Sequence, residues 1–150
     1  MSSTDLMFVL TGTLFHLLIA GIYTCSKLER LDLVRKLGIV VIALAIPVAF
    51  TLVSCLLAGE PLRILLYLAA ILVYILLELV LDFILKIEFR KKPAIHIPYI
   101  IIFYIACFGF IGVSFSIDNT WGYVVSVSFW IMLASLIYLM KGRKRTVPIS

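Results

Sequence analysis

Thirteen lysines and arginines are spread along this 150-residue chain, and all but Arg63 fall in three clusters separated by long apolar stretches. The clusters are Lys27, Arg30, Arg35 and Lys36; Lys86, Arg90, Lys91 and Lys92; and Lys141, Arg143, Lys144 and Arg145. A chain threaded back and forth through a bilayer on its five apolar stretches puts every cluster on one side. Short inner connections carry the excess of Lys and Arg, so the pattern predicts an N-terminus outside and a C-terminus inside.

Composition agrees. At 64% hydrophobic and 14% charged residues, the chain has more apolar surface than a soluble core of this length can bury. The expectation is an all-α membrane protein, a bundle of five transmembrane helices forming a single domain over residues 1–150 and placed as a multi-pass protein of the cell membrane. The net charge of +5 would suit nucleic acid, but the basic residues are short flanks of apolar spans rather than one interleaved face. Anionic lipid headgroups at the inner face are the partners this arrangement predicts, with no nucleic acid. Cys25, Cys55 and Cys107 fall in separate apolar segments without metal-like spacing, so no disulfide framework and no metal site is expected.

The spans are predicted at approximately 6–25, 37–57, 64–85, 97–117 and 120–140. Residues 2–5, Ser-Ser-Thr-Asp, contain no base that would mark a signal peptide, and they offer an N-cap for the first helix. Ser26-Lys27-Leu28-Glu29 has the form of a capping box and predicts a fresh helix start there. Pro47, near the middle of the second span, frees the carbonyl of Ala43 and predicts a kink. Pro98 falls in the first turn of the fourth span, where proline is tolerated. Ala106, Gly109 and Gly112 form a small-residue ridge suited to close helix packing.

Chemistry concentrates on the third span. Tyr74, Glu78, Asp82 and Lys86 are spaced by four and share one side of a helix, forming a polar stripe on an otherwise apolar segment. Glu78 lies about 12 Å from the inner end at the helical rise, too deep for its side chain to reach water easily. An ionised carboxylate there costs roughly 2.5–3.5 kcal/mol on insertion scales, so it is expected to face the bundle, a partner or a wet cavity. Asp82 is one turn from the boundary, with Lys86 four residues on as its expected ion-pair partner. His16 lies at a matching depth on the first span, about 13 Å from its inner end. A pairing of His16 with Glu78 across the first and third helices is therefore expected, with Thr13 and Tyr74 as further partners.

No nucleophile–base pattern, phosphate loop, haem motif or metal-ligand spacing is present, so neither a cofactor nor a catalytic role is indicated. Two functions fit. The first is an oligomeric transporter or channel for protons, ions or a small solute, using Glu78, Asp82, His16, Tyr74 and Lys86. The alternative is a non-catalytic scaffold or accessory subunit that binds lipid or another membrane protein. Acid–base chemistry on membrane lipids, by two carboxylates and a histidine, is a third and weaker expectation.

Overall fold

The computed structural model describes residues 2–141. Arg143, Lys144 and Arg145, read above as part of an inner cluster, lie outside the described residues. Among those residues the protein is helical without strands: α1 (Ser3–Lys27), α2 (Leu31–Ala43), α3 (Ala45–Ala58), α4 (Leu62–Glu78), α5 (Pro93–Ile117) and α6 (Asn119–Lys141). A π-helical stretch, Leu79–Ile84, continues α4, and a short 3₁₀ turn, Phe89–Lys91, precedes α5. Because α2 and α3 run on as one broken helix, five helices are long and apolar enough to cross a membrane.

Three of the boundaries have a clear local cause. The amide of Asp5 donates to Ser2 Oγ at 3.1 Å and the Ser2 amide donates back to Asp5 Oδ2 at 2.8 Å, a capping box that starts α1. The expected box at Ser26–Glu29 is not formed. Instead α1 runs through those residues and closes there. Glu29 takes a left-handed φ of 57°, the Arg30 amide donates to the Cys25 carbonyl at 2.9 Å, and the Glu29 amide donates to the Ser26 carbonyl. That is a Schellman closure, which needs only one residue to accept φ > 0. α3 ends the same way at Gly59, with φ 70° and the Glu60 amide bonded to the Cys55 carbonyl at 3.0 Å.

The predicted kink in the second span falls at Leu44, three residues before Pro47. Proline donates nothing to the Ala43 carbonyl and its ring crowds it, so the helix breaks one turn upstream. α5 begins at Pro93, four residues before the expected start, so Pro98 lies inside the helix rather than in its first turn.

Neighbouring helices close into a ring: α1 packs on α6, α6 on α5, α5 on α4, α4 on α3, and α2 returns to α1, which also touches α3 and α5. Lys27 fastens the closure by donating to the Tyr138 carbonyl at 2.7 Å while lying 4.4 Å over the Tyr138 ring. One close approach depends on a missing side chain and a second is tight packing. A Cβ on Gly12 of α1 would come within 2.8 Å of Phe110 Cδ1 on α5. Gly109 and Gly112, part of the small-residue ridge of α5, face Tyr67 of α4, which a Cβ at Gly109 would meet at 3.4 Å. The ridge thus serves packing between α4 and α5.

The middle of the bundle is aromatic. Phe15 is fully buried and its ring lies 5.1 Å from Phe110, 5.8 Å from Tyr74, 5.7 Å from His16 and 6.4 Å from Phe103. Such pairs contribute about 0.5–1.5 kcal/mol each beyond their buried area. The outer surface is as apolar as the interior. Leu57, Ile46 and Trp130 are 84%, 75% and 67% exposed.

Candidate functional site: a carboxylate pair at the end of a charged cleft

Glu78 is the last residue of α4, and its backbone hands the chain over to the π-helix. It is 8% exposed. Its Oε2 accepts hydrogen bonds from the hydroxyls of Tyr99 and, at 3.4 Å, Tyr74, and the two hydroxyls are 3.1 Å apart. Oε1 faces Arg90, with Nη2 at 3.9 Å. Asp82, one turn on, is gripped by the same guanidinium through both oxygens: Nη1 donates to Oδ1 at 3.1 Å and Nη2 to Oδ2 at 2.9 Å. Two carboxylates therefore share one cation, and the fork-to-fork geometry with Asp82 is the strong form of such a pair.

Burial disfavours the charge on Arg90, but the hydrogen bonds and charge of Asp82, helped by Tyr99 and Glu78, outweigh it and hold the guanidinium above its usual pKa. It stays charged wherever the protein is folded.

Lys86 is not the partner of Asp82. The π-helix inserts extra backbone into the last turn, with the Leu85 amide reaching back to the Val80 carbonyl at 2.8 Å and the Ile87 amide to Leu81. Lys86 then takes φ 50°, and the helical face that carried a four-residue stripe ends before it. The chain folds back instead. Phe89 is fully buried with its ring 4.7 Å from Tyr99, and this anchor delivers Arg90 to the carboxylates.

The carboxylates and Arg90 line a cleft of about 960 Å³, open at one end of the bundle. Glu78 and Asp82 form part of its wall, with Lys27, Arg35, Lys86 and Arg90 as its bases and Glu29 as a further acid. A second cavity of about 440 Å³ lies at the other end, lined by Asp5, Glu60, Asp118 and Trp121. Asp5 is engaged in capping α1, and Asp118 accepts from the Thr120 amide at 2.7 Å at the start of α6. The fully buried rings of Phe15, Phe110 and Tyr74 occupy the middle of the bundle.

His16 does not pair with Glu78. Phe15, one residue earlier and so about 100° away around the helix, is the side chain that turns toward Tyr74, while His16 turns toward α6. There His16 Nδ1 lies 3.0 Å from Ser128 Oγ, and Ser128 in turn donates to the Val125 carbonyl at 2.7 Å. With the single Ser128 proton directed to that carbonyl, the tautomer that satisfies both groups has Nδ1 carrying the hydrogen and donating to Oγ. Nε2 is then a bare acceptor, buried without a partner among the described residues, with Phe110 and Phe129 at ring distances of 5.9 and 5.7 Å. Ser128 points its proton away from the imidazole, so the two do not form a nucleophile–base pair.

Of the expected site residues, Glu78, Asp82 and Tyr74 come together, Lys86 lines the same cleft, and His16 stands apart. Tyr99, Arg90 and Phe89 join this cluster and were not among the expected residues. Phe89 carried a usable signal, since a lone aromatic inside the basic run Lys86–Lys92 marks an anchor rather than a solvated loop. Among the described residues no three His, Cys, Asp or Glu side chains are grouped to hold a metal ion. Comparison with protein-family models, with curated proteins and with solved structures finds no match.

Proposed function

We propose that this chain is a multi-pass protein of the cell membrane that carries a small cation, a proton foremost, on the Glu78–Asp82 pair. Its five apolar helices span the bilayer with the N-terminus outside and the C-terminus inside, so the 960 Å³ cleft opens inward. The apolar outer surface supports lipid as the surrounding solvent. Basic residues at the inner ends attract anionic headgroups at about 1 kcal/mol each.

One observation carries the proposal. A carboxylate that is 8% exposed lines a charged cleft and shares a single guanidinium with a second carboxylate. An acidic group at this depth is expensive, and its natural use is to accept and release a positive charge. Passage beyond it requires the aromatic layer around Phe15 to part. The break at Leu44 and the π-helix at Leu79–Ile84 are the places where helices can shift for this, and assembly of several copies would brace such a motion.

The test is flux. Purified protein in liposomes, loaded with a pH- or cation-sensitive dye, is expected to dissipate an imposed gradient faster than empty vesicles. Glu78→Gln and Asp82→Asn are expected to abolish or sharply slow that leak. Flux that neither substitution alters, over a range of cations and pH values, would remove the proposal and leave the scaffold role.

A further inference from the structure

Resting on the cation-carrying role of the Glu78–Asp82 pair, we propose that Arg90 is a tethered competitor for that pair, so that the strap Lys86–Lys92 gates the cleft and sets which cations enter. The strap leaves the π-helix through a left-handed Lys86, is pinned by the buried Phe89 ring against Tyr99, and tightens into a 3₁₀ turn in which Lys91 bonds Glu88. Arg90 lies between this anchor and the carboxylates, its guanidinium centre 4.7 Å over the Phe89 ring. Its side chain is 55% exposed, and it lines the cleft beside both carboxylates.

The positions of Nη1 and Nη2, 3.1 and 2.9 Å from the Asp82 oxygens with Nη2 also nearest Glu78, are the positions a free cation needs. Occupancy by one excludes the other. Because Arg90 is anchored a residue away at Phe89, it can withdraw and return without unfolding the strap, which keeps its effective concentration at the pair high. The pair as built reads a planar fork, so an organic guanidinium is a better competitor than a spherical ion of the same charge.

Isothermal titration of the purified chain in lipid nanodiscs tests this with methylguanidinium chloride and sodium chloride as probes. Arg90→Gln is expected to bind methylguanidinium roughly tenfold more tightly than wild type, with sodium weaker in both. Asp82→Asn added to Arg90→Gln is expected to remove the gain. Equal or weaker methylguanidinium binding in Arg90→Gln overturns the inference, as does sodium binding as tightly as methylguanidinium. Should Arg90→Gln not fold, wild type labelled with ¹⁵N at arginine answers the same question. Saturating methylguanidinium is expected to shift the Arg90 side-chain resonances, and an unmoved Arg90 signal overturns the proposal. Tight binding without flux would sink only the transport role, whereas flux with no effect of Arg90→Gln on binding would sink only the gate.

Discussion

Glu78 is expensive to bury and is kept by three neighbours, and their separate contributions can be measured. Removing its charge by Glu78→Gln leaves Arg90 with one carboxylate, Asp82, and so orphans nothing. The substitution is expected to leave thermal stability unchanged or raise it by about 1 kcal/mol while eliminating flux. Tyr99→Phe works in the opposite direction. It leaves Oε2 with only the long Tyr74 contact at 3.4 Å, and is expected to lower stability by about 1–2 kcal/mol in a denaturation series. His16 makes a prediction about a single proton. ¹⁵N spectra of histidine-labelled protein are expected to show Nδ1 protonated and Nε2 bare, and the reverse tautomer would mean that Ser128 does not donate to Val125. The sequence made the residue types of this cluster visible, because a carboxylate or imidazole in an apolar run stands out. It could not give direction around the axis. Whether His16 or Phe15 faces Tyr74 depends on a rotation of one residue, which only the packing of α1 against α6 decides.

Element by element, the five apolar segments, the cap at Ser2 and the disturbance around Pro47 were readable, since length, capping chemistry and the missing proline amide act locally. The closures at Glu29 and Lys86 were not, because nothing in a glutamate or a lysine announces a left-handed φ. That failure yields a discriminating experiment. If Lys86 were the ion partner of Asp82, Lys86→Gly would destabilise the protein. With Asp82 bound to Arg90 and Lys86 at φ 50°, glycine is instead expected to relieve strain and add about 1 kcal/mol of stability in thermal or chemical unfolding. Packing between elements is equally testable at Gly12. Gly12→Val drives a side chain into Phe110, whose ring already lies 2.8 Å from the first added carbon, and is expected to cost about 1–3 kcal/mol.

For the whole molecule, the basic clusters and the two cavities together define a polarity. A cleft rich in bases and lined by the buried Glu78 and the half-buried Asp82 lies at one end, a smaller acid-lined cavity at the other, and an aromatic layer between them. With the positive-inside orientation, a cysteine at Lys92 is expected to react with a membrane-impermeant thiol reagent only from the inner side, and one at Ser2 only from the outer side. Reaction of both from the same side would remove the five-span topology. In the proposed function Glu78 carries the moving charge. Its most direct measurement is the current from proteoliposomes on a solid-supported membrane after a sudden pH or cation step. Wild type and Asp5→Asn are expected to give a transient current, and Glu78→Gln none. A current of undiminished size in Glu78→Gln would mean that the charge moves without this carboxylate.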